Sequence, residues 1–233
     1  MDSLVYLIPC VLDESATETI PNYVINAVKN CQVIFAENER TARRFFKSIC
    51  KEIVIDDYEW FTIHKAENEV LNTFRKKIKE GKNIGIISEA GCPGIADPGQ
   101  ILIAAAQEMN ATIRPLVGPS SILLALMASG MNGQQFEFIG YLPIDNLERN
   151  KALTVMEAAS RRKNSTQIFI ETPYRNNQLV EALLKTCNPT TTLCIAADLT
   201  GPREIIKTKT IAEWKKEKTD FHKKPVIFLL CAV

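Results

Sequence analysis

The chain has 233 residues, of which 28 are basic and 27 acidic, and its formal net charge is +1. Hydrophobic residues make up 46% of the chain and charged residues 24%, which is typical of a globular protein and excludes a disordered chain. The 10 glycines and 11 prolines are scattered singly, which excludes collagen-like and low-complexity classes. A charge this close to zero also argues against a histone-like coat on nucleic acid.

The charge is distributed unevenly along the chain. Residues 1–114 hold 13 basic and 16 acidic residues, a net charge of −3, whereas residues 115–233 hold 15 basic and 11 acidic residues, a net charge of +4. The difference predicts two domains, the second of which favours an anionic partner. Chance variation in composition is the alternative.

Seven cysteines, an odd number without a C-x-x-C pair, indicate free thiols in a reducing compartment. The N-terminus has no basic region of the kind that opens a signal peptide, and no run of about 18 apolar residues suggests a membrane span. We therefore expect a cytoplasmic protein without membrane contact. His64 and His222 lie far apart without ligand spacing, so no metal site is expected.

Short apolar runs alternate with amphipathic runs through the first half of the chain. The pattern predicts strands at 4–8, 32–37, 52–55, 83–88 and 112–117, and helices at 20–30, 41–49, 67–80 and 101–109. Strands buried on both faces of a parallel sheet read as continuous apolar runs, as these do. The first half is therefore predicted to be an α/β domain with a mainly parallel sheet.

The second half begins with a helix at 120–129 that is apolar all round and is predicted to be buried. Further strands are predicted at 136–140, 167–171, 192–198, 204–208 and 226–232, and helices at 147–162, 176–187 and 211–217. Consecutive strands near 194 and 206 indicate antiparallel pairing and hence a mixed sheet. We expect the domains to comprise residues 1–116 and 117–233.

The densest cluster of turn residues, S-E-A-G-C-P-G-I-A-D-P-G at 88–99, directly follows a predicted strand. Ligands of open α/β sheets bind outside the carboxyl ends of the strands. Gly91 and Gly94 allow a ligand to approach the backbone, and Pro93 and Pro98 restrict the loop to one shape. We predict a ligand-binding loop, with a plain turn-rich connection as the alternative.

A second candidate segment is P-L-V-G-P-S-S at 115–121. Gly118 lets the backbone pass close to a ligand. Ser120 and Ser121 stand at the start of a helix, where a serine either caps the free N–H groups or leaves them to a ligand. The two interpretations are compatible.

A third segment, I-F-I-E-T-P-Y-R at 168–175, is a strand that runs into a proline turn. Glu171 at its end either accepts a hydrogen bond from a ligand or caps the following helix. The sequence contains no G-x-x-x-x-G-K-[ST], G-x-G-x-x-G or G-x-S-x-G. P-loop, Rossmann dinucleotide and hydrolase sites are therefore not indicated.

Together these segments resemble the tetrapyrrole methylase superfamily. The 88–99 segment is similar to its S-D-A-G-T-P-x-I-S-D-P-G motif, and PLVGPSSILLALMASGM at 115–131 to P-L-P-G-P-S-A-x-x-x-A-L-x-x-S-G-L. FEFIGYLP, IFIETPYR, AADLT and KPVIFLL follow in the family's order. Within the superfamily, the sequence most resembles the small-subunit ribosomal RNA methyltransferases that act on a cytidine ribose 2′-hydroxyl.

The resemblance implies two α/β domains that bind S-adenosylmethionine in the cleft between them, usually as a homodimer. It also implies ribosomal RNA of the small subunit as the partner. The positions that match the cofactor-binding motifs are Pro9, Ser88, Gly91, Cys92, Pro93, Ala96, Gly118, Ser120, Ser121, Glu171, Leu199 and Pro225.

Methyl transfer to a ribose hydroxyl benefits from a carboxylate that accepts the hydroxyl proton. Glu37, Glu89 and Asp97 are the acids in the matching loops, and their spacing does not choose among them. Each has a structural alternative. Asp97 can cap the helix predicted near Pro98, and Glu37 can pair with Arg40.

Basic residues on two predicted helices are candidates for contacts with RNA phosphates, with a solvated face as the alternative. They are Arg40, Arg43, Arg44 and Lys47 on the first helix, and Arg149, Lys151, Arg161, Arg162 and Lys163 on the second.

The sequence departs from the ribosomal branch in three places. The N-terminal T-P-I-G-N-L-x-D-I-T reads I-P-C-V-L-D-E-S-A-T-E-T-I here, E-D-T-R reads E-N-E-R at 37–40, and A-R-E-L-T reads A-A-D-L-T at 196–200. These departures leave two alternatives open. One is a methyltransferase of a tetrapyrrole precursor or another small molecule, and the other is an inactive cofactor-binding paralogue.

Overall fold

The structure, a computed structural model, describes residues 3–63 and 67–232. The chain divides into two compact units, Met1–Ser120 and Ser121–Val233. Both units combine a sheet with helices, so the predicted α/β class is confirmed.

The first unit contains a five-stranded sheet in the order β3-β2-β4-β1-β5, in which every pair is parallel. Its strands are β1 Leu4–Ile8, β2 Val33–Ala36, β3 Glu59–Thr62, β4 Ile84–Ile87 and β5 Thr112–Pro115. Its helices are α1 Tyr23–Lys29, α2 Glu39–Ile49, α3 Glu67–Lys79 and α4 Gln100–Glu108. Because the strands are parallel, their carboxyl ends all meet at one edge of the sheet.

Both faces of the first sheet are covered, which explains the continuous apolar runs of its strands. Ile34 and Ala36 of β2 belong to a core cluster that includes residues of α1 and α2. Val33 and Phe35 belong to a second cluster with residues of α3 and α4. Phe35 stacks on Phe61 of the neighbouring strand, with ring centroids 5.0 Å apart.

The strand predicted at 52–55 is wrong. These residues lead into a 3-10 turn at Ile55–Asp57, and the strand that pairs with β2 is Glu59–Thr62. Ile53 is buried whereas Val54 is 54% exposed. The apolar run is therefore a partly buried connection, which a short sequence window does not distinguish from a buried strand.

The second unit contains a five-stranded mixed sheet in the order β6-β7-β10-β8-β9. β6 and β7 are parallel and the other pairs are antiparallel, including the predicted pairing of β8 with β9. Its strands are β6 Phe136–Tyr141, β7 Thr166–Ile170, β8 Thr192–Ala197, β9 Ile205–Thr210 and β10 Val226–Cys231. Its helices are α5 Ser121–Ser129, α6 Asn146–Lys163, α7 Asn176–Thr186 and α8 Ile211–Trp214.

Helix α5 is not fully buried as its apolar sequence predicts. Ala125 and Leu126 are buried, but Leu123 is 52% exposed and Met127 is 79% exposed. Within the second unit α5 contacts β9 and β10, so only one side of the helix is covered there. An apolar circumference is therefore insufficient evidence of burial on every side.

The sequence also predicts that the chain has no membrane-spanning segment and that its cysteines are free thiols. In residues 3–63 and 67–232, no helix is long and apolar enough to cross a membrane. All seven cysteines carry free thiols, and four of them are buried.

Candidate functional site

Three loops meet at the carboxyl edge of the first sheet, because β1 lies between β4 and β5. The N–H of Cys10, just after β1, donates to the carbonyl oxygen of Gly91 at 2.8 Å, and the N–H of Gly91 donates back to Cys10 at 3.1 Å. This two-bond bridge joins the predicted loop at 88–99 to the end of the first strand. We call residues 9–10, 88–99 and 116–120 the first-sheet edge.

Gly118 packs directly against the Pro9 ring. A Cβ atom at position 118 would lie 2.1 Å from Pro9 Cβ and 2.5 Å from Pro9 Cγ, so the observed backbone path requires glycine. The Cys92 thiol lies 3.6 Å from the carbonyl oxygen of Pro119, and the N–H of Val117 donates to the Tyr23 hydroxyl at 2.6 Å. The segment after β5 is therefore held on both sides.

The loop at 88–99 has an unusual backbone. Gly91 and Gly94 have φ values of +67° and +79°, which glycine adopts without steric cost. Ala96 has a φ of 63°, in a region that residues with a Cβ rarely occupy. Such strain is often found where a chain must present its backbone to a ligand.

The three candidate acids also belong to this edge of the sheet. Glu37 follows β2, and its N–H donates to the Ile87 carbonyl at 3.0 Å. One Glu37 carboxylate oxygen accepts a hydrogen bond from the N–H of Glu89 at 2.9 Å. A cavity of about 670 Å³ opens beside them, lined by Glu37, Asn38, Glu39, Arg40, Thr62, Ile63, Glu89 and Pro98.

The pKa values of Asp97 and Glu37 are raised by their surroundings. Burial raises the pKa of Asp97 to about 6, helped by the negative charges of Glu37 and Glu89 and opposed by a hydrogen bond from Ser88. Burial and the charge of Glu89 also raise the pKa of Glu37 above its usual value, against a hydrogen bond from the Glu89 backbone. Asp97 is therefore the better suited of these two to exchange a proton near neutral pH.

The structural alternatives for these acids are not observed. Helix α4 begins at Gln100 after Gly99, without a side-chain cap, so Asp97 is not its cap. In the described chain no ion pair joins Glu37 to Arg40. Instead Asn38 caps α2, its side-chain oxygen accepting from the N–H groups of Arg40 and Thr41 at 3.1 and 3.4 Å. The asparagine therefore caps α2 at the position where the resembled motif has aspartate.

The second unit gathers its candidate residues at one edge of its own sheet. Strand β10 lies between β7 and β8 and is antiparallel to both, so its start adjoins their ends. This places Glu171, Leu199 and Pro225 at the same edge. The N–H of Asp198 donates to the Pro225 carbonyl at 3.1 Å. We call Glu171, residues 198–200 and Pro225 the second-sheet edge.

Glu171 is held rigidly in this second-sheet edge. Its buried side chain accepts, on one oxygen, the Thr172 N–H at 2.6 Å and two guanidinium N–H groups of Arg175 at 2.6 and 3.0 Å. It therefore does not cap α7, whose N-terminus at Asn176 lies beyond it. In the described residues, its other oxygen is buried without a hydrogen-bond partner.

Two residues of this edge escaped the sequence analysis. Asp198 Oδ2 and Thr200 Oγ1 are buried and, within the described residues, accept or donate no hydrogen bond. Lys224 Nζ lies 3.8 Å from Asp198 Oδ2. Buried polar atoms are nearly always satisfied, so these atoms suit a ligand with N–H or O–H donors. The sequence signal that could have identified Asp198 and Thr200 is their place between an apolar strand and the Gly-Pro turn at 201–202.

The remaining candidate positions of the cofactor-binding motifs make fewer contacts that bear on a site. Ser88 is buried and its hydroxyl donates to the Ala90 carbonyl at 3.1 Å, while Pro93 is buried. Ser121 is the first residue of α5, and Ser120 precedes it.

One basic residue of the two predicted basic helices is buried, and four others form ion pairs. Arg149 is 5% exposed, and its guanidinium donates to the Ile144 carbonyl and the Asn146 side chain, so the expectation that it contacts phosphates is wrong. Further cations form ion pairs, namely Arg43 with Glu39, Arg44 with Glu14, Lys151 with Glu148 and Lys163 with Glu137.

Metal ligands do not cluster in the part of the chain that the structure describes. There, no group of three or more His, Cys, Asp or Glu side chains is arranged to hold a metal ion. His64 lies outside the described residues.

Known proteins resemble the chain in sequence. Ribosomal RNA small subunit methyltransferase I of Micromonospora olivasterospora is 31% identical over 170 residues, 73% of this chain and 51% of that protein. The protein of the same name from Buchnera aphidicola (strain Sg) is 28% identical over 97% of this chain and 77% of its own length. The Synechocystis protein is 35% identical over 77% of this chain and 62% of its own length. The chain thus spans between half and about three quarters of these relatives.

Solved structures share the fold. A structure described as the methyltransferase CobJ superposes with a TM-score of 0.66 and 17% identity, covering 100% of this chain and 95% of the other. Uroporphyrin-III-C-methyltransferase from Thermus thermophilus gives a TM-score of 0.58 and 14% identity, covering 98% and 94%. At such low identity the likeness is evidence of fold alone.

The family comparison spans both units. The sequence model for tetrapyrrole (corrin/porphyrin) methylases matches residues 16–215, a range that includes the acid cluster, both glycine loops and Glu171. The chain therefore belongs to the tetrapyrrole (corrin/porphyrin) methylase family.

Proposed function

We propose that the chain is an S-adenosylmethionine-dependent methyltransferase that methylates a ribose 2′-hydroxyl of small-subunit ribosomal RNA. Family membership and the names of its relatives support methyl transfer and an RNA substrate. The observation that carries the proposal is the first-sheet edge, where a glycine-built loop lies beside a carboxyl group with a pKa of about 6.

The residues of both sheet edges fit the chemistry of the cofactor. S-adenosylmethionine has amino, hydroxyl and ammonium groups, and one buried oxygen of Glu171 and one of Asp198 accept no hydrogen bond within the described residues. At the first-sheet edge, the positive φ of Gly91 and the packing of Gly118 against Pro9 fix the backbone path of the two loops that we propose contact the cofactor. We propose cofactor contacts at Pro9, Ser88, Gly91, Cys92, Pro93, Ala96, Gly118 and Ser120 in the first unit, and at Ser121, Glu171, Leu199 and Pro225 in the second.

The chain's own contribution is positioning and proton transfer. When bound, the cofactor supplies an electrophilic methyl group. We propose that Asp97, as the carboxylate, accepts the proton released by the ribose hydroxyl. Glu37 positions Glu89 through the hydrogen bond to its backbone, and burial together with the charges of both glutamates raises the pKa of Asp97.

The test is transfer of labelled methyl groups from S-adenosylmethionine by the purified chain. Small ribosomal subunits that lack the ribose methylation should be labelled, whereas fully modified subunits should not. Labelling of a uroporphyrinogen-type substrate instead would overturn the RNA assignment in favour of a small-molecule methyltransferase. Cofactor binding by calorimetry without turnover on either substrate would identify an inactive paralogue.

Two further proposals concern assembly and location. We propose a homodimer, supported by exposed apolar side chains on the second unit such as Leu123 and Met127. Light scattering at micromolar concentration should give twice the chain mass, and a monomer there would contradict the proposal. We also propose a cytoplasmic location, where ribosomal subunits are found, testable by cell fractionation.

A further inference from the structure

The positive excess of the second half of the chain is concentrated in one segment. Residues 203–224 contain eight basic and four acidic residues, a net charge of +4, whereas residues 115–202 contain seven of each. This segment, which we call the basic strip, includes β9, α8 and the chain that leads to β10. It is distinct from the two basic helices predicted to contact RNA.

The four acidic residues of the basic strip are engaged in local contacts. Glu204 accepts the Thr200 N–H at 2.7 Å, and Glu213 caps α8 with Thr210. Glu217 pairs with Lys209, and Asp220 accepts the Asn177 side-chain amide at 2.8 Å and the His222 N–H at 3.0 Å. The acids therefore stabilise the fold of the strip itself.

Most cations of the basic strip have no such partner. Of the eight cations of the basic strip, only Lys209 and Lys224 form ion pairs within the described residues. The other six are exposed and form none there: Arg203, Lys207, Lys215, Lys216, Lys218 and Lys223. An exposed, unpaired set of cations favours a polyanionic partner.

Strand β9 presents two cations on the side of the sheet that α8 covers. Lys207 pairs with Ile195 and Lys209 with Leu193 across the β8/β9 ladder, so each pair shares a face. Leu193 and Ile195 belong to the core cluster that contains Trp214 of α8. Lys209 Nζ accordingly lies 5.7 Å from the centre of the Trp214 ring.

An exposed aromatic ring adjoins the end of the basic strip. Tyr174 is 68% exposed, and the ring of His222 meets it edge to face with centroids 5.8 Å apart. Lys223 Nζ lies 5.9 Å from the centre of the tyrosine ring, and the Lys223 N–H donates to the Pro173 carbonyl at 2.9 Å. Tyr174 follows Glu171 by three residues, so it lies near the second-sheet edge.

We propose that the basic strip and Tyr174 together bind a single-stranded segment of RNA. The unpaired cations contact successive phosphates, and one unstacked base lies against the Tyr174 ring, beside Lys223. Stacking requires a base free of its neighbours, so the surface selects single-stranded over double-stranded RNA. This inference rests on the proposed RNA substrate and adds the surface that recognises it.

The electrostatic part is tested by fluorescence anisotropy with a labelled single-stranded oligoribonucleotide, without methyl donor. The triple variant K215Q/K216Q/K218Q should bind about tenfold more weakly, and its salt dependence should fall by about 2 in log–log slope. The control K51Q/K76Q/K79Q removes the same charge from exposed lysines of the first unit and should bind as the wild type does. Equal weakening of both triples, or of neither, would overturn the proposal.

The stacking part is tested with Tyr174 variants. Tyr174→Ala should weaken RNA binding about tenfold without changing the salt dependence, and Tyr174→Phe should restore it. Both variants should bind S-adenosylhomocysteine as the wild type does. If Tyr174→Ala loses binding of S-adenosylhomocysteine, the ring contacts the cofactor. If duplex RNA or anionic vesicles bind better than single strands, the basic strip recognises one of those partners instead. Each of these results contradicts the proposal.

Failure of this inference is distinguishable from failure of the proposed function. If the wild type methylates RNA while the triple variant keeps the wild-type KM, the surface is wrong and the activity stands. If the wild type transfers no methyl group but binds single-stranded RNA, and the variants of the basic strip weaken that binding, the proposed activity is wrong and the proposed surface stands.

Discussion

The two sheet edges hold negative charge in different ways. At the first-sheet edge, burial and the negative charges of Glu37 and Glu89 raise the pKa of Asp97, and burial and the charge of Glu89 raise the pKa of the neighbouring Glu37. At the second-sheet edge each buried acid has a cation, Arg175 for Glu171 and Lys224 for Asp198.

The difference separates a group of neighbouring acids from acids that are each paired with a cation. Burial and two neighbouring negative charges raise the pKa of Asp97 to about 6, whereas Glu171 and Asp198 are each held in an ion pair. The first-sheet edge is thus suited to chemistry and the second to holding a ligand. Substitutions at each edge should therefore differ in what they change.

The largest effect is expected from Asp97→Asn, which removes the proton acceptor and keeps a group that can accept the Ser88 hydrogen bond. We expect kcat to fall by about 100-fold to 10,000-fold. The wild-type rate should rise with pH through about 6, the pKa of Asp97, because only the carboxylate accepts a proton. The rate of the variant should not rise with pH in this range. Asp56→Asn, at an exposed position of the same unit, is the control, and an equal rate loss there would contradict the assignment.

The next expected effect is a loss of stability in Glu171→Ala. Removing one partner of a buried ion pair costs about 3–5 kcal/mol, because Arg175 then keeps a charge without its partner. Urea unfolding measures the difference. Glu181→Ala, at an exposed position on α7, should change stability by less than about 0.5 kcal/mol. Similar losses in the two variants would show that the Glu171 pair is not a stabilising contact.

Gly118→Ala should cost about 1–3 kcal/mol, because its methyl group overlaps the Pro9 ring and the loop after β5 must move. Cofactor affinity, measured by calorimetry, should fall with it. Gly133→Ala is the matched control, since a Cβ there meets nothing within 4 Å. If Gly118→Ala binds the cofactor with wild-type affinity, the loop does not contact it.

A further effect of Asp97→Asn concerns stability and has the opposite sign from its effect on rate. The pKa of Asp97 rises from 3.8 to about 6 on folding, so the folded state binds the proton more tightly and stability falls as pH rises through that range. The variant should be more stable than the wild type at about pH 8, by on the order of 1 kcal/mol after solvent screening, and no more stable at about pH 3. Thermal unfolding at both pH values measures this. Equal stability at both would place Asp97 outside the charge cluster.

The smallest effect is expected from Asn38→Ala, which removes the cap of α2 and should cost about 1 kcal/mol. Asn38→Asp keeps an acceptor at the N-terminus of the helix and should be within a few tenths of the wild type. Chemical denaturation of the two variants decides whether the asparagine acts as a cap alone.

Sequence patterns predicted the elements that have a long or regular signal. The strands predicted from the apolar runs of β1, β4 and β10, and the helices predicted from the periodicity of α1 and α3, are observed. The strand placed at 52–55 failed because periodicity does not show which of two nearby segments pairs with β2. The exposure of Met127 depends on which side of α5 the sheet covers, and no local pattern encodes that.

The candidate site was predictable where glycine and proline mark a loop, as at 88–99. The unpaired oxygens of Asp198 and Thr200 were not, because hydrogen bonding is a property of the assembled edge. Arg149 shows the same limit in reverse, since this basic residue lies on the buried side of α6 with Leu153 and Met156, and its guanidinium donates to Ile144 and Asn146.

The bridge between Cys10 and Gly91 has a kinetic consequence. Its two hydrogen bonds hold Gly91 against the end of β1 without a ligand, so this part of the 88–99 loop is in place before a ligand arrives. The amide protons of Cys10 and Gly91 should exchange slowly with solvent even in the free protein. Association of the methyl donor with this loop should then be governed by diffusion and orientation, without a slow closing step.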